Sequence, residues 1–575
     1  MKSTSTSLGI CVALLAAACG GGEPDDARGG VAGAAGVEGD FCDVVTQRVD
    51  SFTTAAAEGW SPPSERYGGT VVVSGSEELP GMNALVSSDY TAAQFQQFVN
   101  LMTLVRYDEE LRPVPWLAER FELADDSMSI TFHLRDDVYW HDGVRTTADD
   151  VAFTFDRMTD TAVAFPNRSF WDPYVKGPDG VEVTDAFTVT FRFERRHAQP
   201  LDAWRAAPIM PKHLLEDVPA AQLAQHPYDE RCPVGNGPFV FEEHRPGESW
   251  TFRANPAFPE ALGGRPYLDR LVYRVIGEPT TALAELASGR THVWHQAPAE
   301  LAGEIAAAEG VELRAHRHRE YVFVAWNSRR ETLADRRVRM ALALATDREA
   351  LVGAILGGHG RVAQTTVYPS HWLYDPSVEA AVPYAPDRAR ALLAEAGWRD
   401  RDGDGVRENP DGLPLSLEVK FNAGSSQRRR VAELLQAQLA RVGVEVEPRP
   451  MEYNTLVAQV TRSREFDGFV IGFMNEFKMD DRVLFHSESF DEPYGFSGTR
   501  NPALDTLMDT LPFVMDPEAA RGLWARYQRE LIEEQPFLFL WFKDQLTGVS
   551  EDLEGAVMDI RGEFVTVGDW WLRSE

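Results

Sequence analysis

The chain has 575 residues, 44% hydrophobic and 25% charged, with a formal net charge of −33. This is the composition of a soluble globular protein, long enough for two or more cores. So negative a charge excludes nucleic acid or an anionic lipid surface as the main partner.

The first element in chain order is an apolar run at residues 8–18, behind Lys2. Its 11 residues fall short of the roughly 20 that cross a hydrocarbon core, so it reads as the h-region of a secretion signal. Leu15-Ala16-Ala17-Ala18-Cys19 resembles the bacterial lipoprotein box. That resemblance implies a signal peptide at 1–18, lipidation of Cys19 and membrane attachment through acyl chains alone. Residues 19–40 are rich in glycine and acid, lack large apolar side chains, and read as a flexible tether. Cys11 leaves with the signal, and Cys42 and Cys232 remain. They either pair in an oxidising compartment, tying the extension 41–67 to the body, or stand as two buried thiols.

Farther on, Met128, Ile130, Phe132 and Leu134 alternate with Ser129, Thr131, His133 and Arg135, a half-buried strand. Thr147 caps a helix over 148–158, with Asp150 closing a capping box and Val151, Phe155 and Met158 on one face. His316 and His318, two apart on a strand, lack further ligands and read as a solvated strand face, not a metal site. Pro386 opens a helix that Gly397 stops. Asp400, Asp402, Asp404 and Asp411 then stand at the first, third, fifth and twelfth positions of a calcium loop, with Gly405 sixth. A strand pattern from Leu415 follows where a calcium hand needs its second helix. The stretch therefore reads as an acidic turn, with calcium as the alternative. Helices over 428–442 and from Pro517, capped by Asp516, alternate with strands over 415–421, 444–447 and 469–473. There is no G-x-S-x-G, no H-E-x-x-H, no G-x-x-x-x-G-K and no cysteine pair at metal spacing, so neither enzyme nor cofactor is expected. The class is α/β with more than one lobe.

In order, several segments resemble family 5 of the extracellular solute-binding proteins, which serve peptide- and nickel-type ABC importers. Gly68-Gly69-Thr70-Val71-Val72-Val73 resembles the family's opening strand, and residues 104–155 its signature region. PVGNGPFVF (233–241), RPYLDRLVYRVI (265–276), LASGRTHV (286–293), ADRRVRMALALATDREALV (334–352), DRARALLAEAGW (387–398) and LFHSESFDEPYGFSGTRNPALDTLM (484–508) keep its order. The resemblance implies a two-lobed, periplasmic-binding-protein-like type II α/β fold with a subdomain inserted in the first lobe. Lobe I spans 68–320 with the insertion at about 105–225, lobe II spans 321–535, and 536–575 returns to lobe I. The chain crosses the hinge near 318–327 and 537–547. A monomer is implied, extracytoplasmic and lipid-anchored, that hands its solute to an ABC permease and ATPase complex and has no nucleic-acid partner.

In peptide-binding relatives a second-lobe strand ends in Gly-Trp, and an acid four positions after the glycine takes the α-ammonium. Here Gly472-Phe473-Met474-Asn475-Glu476 stands in that place, so Glu476 is the implied anchor and Phe473 the implied aromatic wall. A solvated loop carboxylate near Asp480 and Asp481 is the alternative. Opposite, Ser88, Asp89, Tyr90 and Thr91 fall where relatives meet the ligand backbone, and Trp326 and Asn327 lie just past the hinge. Dipeptide-binding relatives clamp the ligand's C-terminus with an arginine in the loop before the Arg428 helix. Residues 422–426 hold none, which favours an oligopeptide over a dipeptide. A non-peptide solute such as an oligosaccharide or nickel chelate comes next, and a secreted hydrolase last.

Overall fold

The computed structural model describes residues 40–573, except 88, 164, 166–174, 176, 197–200, 202–203 and 205–206. Cys19 and the rest of 1–39 lie outside the described residues. Helix α1 (Phe41–Ala57) comes first; Cys42, Val45, Val49 and Thr53 recur every three or four residues and turn one stripe inward. A disulfide joins Cys42 to Cys232, 190 positions away, with their Cα atoms 5.5 Å apart. Arg48–Asp142 and Arg231–Asp40, both at 2.7 Å, and Arg253–Asp50 at 2.9 Å fasten the same helix to the body.

After β1 (Thr70–Gly75) and α2 (Tyr90–Gln94), the chain builds a small antiparallel sheet. Its strands are β2 (Ala118–Leu123), β3 (Ser129–Leu134), β4 (Val181–Asp185) and β5 (Thr188–Arg192), in the order β2-β3-β5-β4. Ile130, Phe132 and Leu134 of β3 are buried, as their alternation predicts. Helix α3 (Ala148–Thr159) carries the expected capping box and packs Val151, Phe155 and Met158 into the same core.

The other strands of the large sheet are β6 (Phe239–Arg245), β7 (Ser249–Ala254), β8 (Arg270–Val275), β9 (Val293–Trp294), β10 (Val311–Trp326), β11 (Gly360–Val362), β12 (Ser416–Asn422), β13 (Glu445–Met451), β14 (Gly468–Met474) and β15 (Phe537–Ser550). Between them lie α4 (Pro386–Glu395), α5 (Ser426–Ala440) and α6 (Pro517–Glu534). They form one eleven-stranded sheet, β13-β12-β14-β10-β15-β9-β1-β8-β7-β6, with β11 on β15.

Two long strands hold that sheet together. β10 has 16 residues and β15 has 14. They pair antiparallel from Val311↔Ser550 to Arg317↔Asp544, shift register, and resume from Tyr321↔Phe542 to Ala325↔Phe537. β9 joins β15 at Gly548 and Val549, whereas β14 joins β10 from Glu320 to Trp326. Each half-sheet thus hangs on opposite ends of the same strand pair. In the second half, Val322, Val324 and Trp326 enter one core while Tyr321, Phe323 and Ala325 enter another. A strand covered on both faces buries every residue, which explains its continuous apolar run. The halves also touch across the cleft. The Tyr107 ring meets Phe477 at 4.7 Å, and Arg195 lies 4.3 Å over Phe513.

Candidate functional site

The first wall of the cleft lies where β1 and β9, which run parallel, end and α2 begins. Ligands in open α/β sheets bind beyond the carboxyl ends of the strands. Asp89 caps α2 by accepting the amide of Ala92 at 2.9 Å, and burial raises its carboxyl above the usual range. The Tyr90 hydroxyl donates to Glu563 Oε2 at 3.2 Å. Thr91 Oγ1 lies 3.0 Å from His295 Nε2, and His295 Nδ1 lies 3.0 Å from Glu563 Oε1. Burial alone would raise the Glu563 carboxyl, but His295, by charge and hydrogen bond, and His316, by charge, outweigh it and hold it at about 2. Asp89, Tyr90 and Thr91 are thus brought together, while Ser88 lies outside the described residues.

His295 and Glu563 escaped the sequence reading because their partners are hundreds of residues away. His316 and His318 need a correction. Both are buried, not solvated. The Tyr90 ring meets His318 edge-on at 5.1 Å, and Glu563 and Asp559 act on His316, so α2 and the chain around Glu563 cover this stretch of β10.

The second wall is the end of β14. A Cβ at Gly472 would lie 2.7 Å from Glu320 Oε1, so a larger residue there would push that carboxylate aside. Phe473 is a core ring, 5.1 Å from Phe323 and 6.4 Å from Tyr321, and not a free aromatic wall. Met474 ends the strand opposite Glu320. Asn475 donates to the Thr366 carbonyl and accepts from Arg319. The Glu476 side chain is 34% exposed, with the buried Arg319 guanidinium 3.5 Å away. Arg319 in turn lies 4.2 Å over the Phe477 ring.

Trp326 and Asn327 are not at this wall. Trp326 is fully buried in the lobe core, and Asn327 donates to the carbonyls of Phe466 at 3.0 Å and Arg464 at 3.2 Å. At ~3.3 Å per residue, β10 has carried them roughly 23 Å beyond Arg319. An arginine does stand at the end of β12, although the loop before α5 has none. Arg428, one turn inside that helix, donates to Asn422 Oδ1 at 2.8 Å. Burial lowers its pKa against the opposing pull of Glu320, which itself pairs with Lys543 at 2.5 Å.

Residues 112–490 match the model of the bacterial extracellular solute-binding proteins, family 5, middle region. The chain belongs to family 5. It is 29% identical over 510 residues to the oligopeptide-binding protein AppA of Bacillus subtilis (strain 168), a match covering 88% of this chain and 92% of that one. The solved structure of that AppA in complex with a nonapeptide superposes with a TM-score of 0.74 at 28% identity, over 89% of this chain and 100% of the other. NikZ from Campylobacter jejuni, in complex with Ni(L-His), gives 0.71 at 25% identity over 87% and 99%. The mixed α/β architecture described above is therefore that of family 5 binding proteins.

In this family 5 chain the acidic turn gathers a set other than the one expected. Asp400, Asp402 and Asp404 come together with Glu408, their ligand oxygens all within 4.8 Å, and Asp411 is left out. Asp400 accepts the amides of Gly403 at 2.7 Å and Gly405 at 3.2 Å, and Asp404 accepts that of Val406 at 2.7 Å. The carboxylates thus stitch their own turn, and β12 follows it instead of a second helix. No helix among the described residues is long and apolar enough to cross a membrane.

Proposed function

We propose that this chain is the extracytoplasmic substrate-binding component of an ABC peptide importer, held to a membrane by lipid on Cys19. The observation that carries the reading is its likeness, along nearly the full length of both chains, to a protein whose solved structure holds a nonapeptide. Lobe I (68–320 with 536–575) and lobe II (321–535) turn on β10 and β15 and close on an oligopeptide without chemical change. The work available is the ligand's greater affinity for the closed state. Closure strips water from ligand charges and strengthens their pairing with the walls. Glu476 takes the peptide's ammonium, its carboxylate shared between that ammonium and the Arg319 guanidinium. The 22-residue tether, if a flexible coil, has an end-to-end reach of about 25 Å, enough to keep the collector beside its permease and ATPase.

The test is mass spectrometry of whatever co-purifies with the protein. A mixture of peptides longer than two residues is the expected result. A single sugar or metal chelate would overturn the peptide reading and leave the binding-protein architecture intact.

A further inference from the structure

Beside the hinge lies a cavity of about 270 Å³, lined by Arg317, His318, Arg361, Tyr368, Pro369, Ser370, Phe542, Lys543 and Asp544. It sits where β10 and β15 shift register, between Arg317 and Tyr321, so both hinge strands contribute to its wall. At roughly 30 Å³ per water it has room for the end of a chain or one side chain.

Its charge runs against that of the protein. The whole chain carries −33, yet Arg317, Arg361 and Lys543 face this space against Asp544 alone. Arg317 pairs with Asp544 at 2.7 Å, and Lys543 pairs with Glu320 at 2.5 Å. Arg361, at the exposed rim, makes no ion pair among the described residues. His318 is 5% exposed, and both its ring nitrogens are buried without a hydrogen-bond partner. Buried polar groups are almost always paired, so such an imbalance marks a missing partner. Burial, reinforced by Lys543 and Arg319, holds the imidazole well below its ordinary pKa, so the ring is neutral and has one N–H to donate. A guanidinium with an open fork and an imidazole N–H are together the donors a carboxylate accepts.

We propose that this cavity is an anion subsite that takes one carboxylate of the bound peptide, with Arg361 and His318 as the residues that recognise it. The proposal rests on the peptide reading above. The carboxylate belongs either to the peptide's C-terminus or to an Asp or Glu side chain, and the experiment separates the two.

Full-length protein in detergent, stripped of bound solute by denaturation and refolding, is offered three nonapeptide libraries, and retained peptide is counted by mass spectrometry. One library has a free C-terminus and no Asp or Glu. The second is the same library amidated, and the third is amidated with one Glu at a random position. We expect at least tenfold more retention of the first or the third than of the second, and which one leads names the source. Arg361→Gln, at an exposed position, should abolish the preference with an unchanged melting temperature, and His318→Gln, at a buried one, should abolish it as well. Equal retention of all three libraries removes the subsite and leaves peptide binding standing. Retention of none removes peptide binding and the subsite with it. A preference that survives both substitutions places the carboxylate elsewhere and overturns the assignment.

Discussion

On the first wall, Tyr90, Thr91, His295 and Glu563 contact one another inside the protein, whereas on the second Glu476 is a third exposed, with Arg319 at 3.5 Å. A buried, mutually paired network fixes its members in one arrangement before any ligand arrives. A carboxylate a third exposed can change its contacts when a ligand arrives. Under the proposed function, the rigid wall sets the shape onto which a ligand is pressed, and the adjustable wall supplies the charge that selects it. Substitutions on the first should therefore cost stability, and substitutions on the second affinity.

The largest effect is expected at Glu563. Glu563→Gln breaks a fully buried ion pair and should cost about 3–5 kcal/mol in denaturant unfolding. The pH dependence follows from the depressed carboxyl. With Glu563 held at about 2 in the folded protein, the wild-type advantage over the variant is complete above pH ~4.5 and disappears as the pH falls toward about 2. Equal stability of the two proteins at pH 7 would mean that the lobe I network contributes nothing.

Next comes the strap on the same lobe. Cys42→Ser frees a loop of 190 positions and should cost about 2–4 kcal/mol, read by unfolding with and without reductant. Peptide affinity should not change, since α1 packs on the core of the small sheet. An affinity loss would place α1 in the binding machinery.

The smallest effect is on the second wall. Glu476→Gln should leave the melting temperature alone and weaken peptide binding about tenfold, ~1.4 kcal/mol, because a third of the side chain is exposed and Arg319 shares its charge. Acetylating the peptide's N-terminus should weaken binding to the wild type by the same factor and binding to the variant hardly at all. If acetylated and free peptides bind the wild type alike, Glu476 is not the amine anchor.

Local signals survived the passage from sequence to structure, and distances did not. The alternation at Ile130, Phe132 and Leu134, the Thr147–Asp150 box and the Asp516 cap report on neighbours in the chain, and each forms as read. Periodicity also put His316 and His318 on one face, but it carries no information about the α2 residues that cover them. Chain order puts Trp326 beyond Arg319 on β10. How far β10 runs on beyond Arg319 depends on its pairing with β14, which no local pattern encodes. Arg428 was missed for a shorter reason, since a side chain one turn inside α5 reaches back to the loop that precedes it. Glu408 replaces Asp411 because the turn closes through the amides of Gly403, Gly405 and Val406 before the chain reaches the twelfth position.

Hydrogen exchange of the full-length protein, with and without a saturating co-purified peptide, tests the contrast between the walls most directly. Amides at 90–92, 295 and 563 should already be protected without ligand and change little when it binds. Past the hydrogen-bonded end of β14, the amides at 476–478 should gain the largest new protection when ligand binds. Large new protection on the first wall, or none at 476–478, would contradict the account.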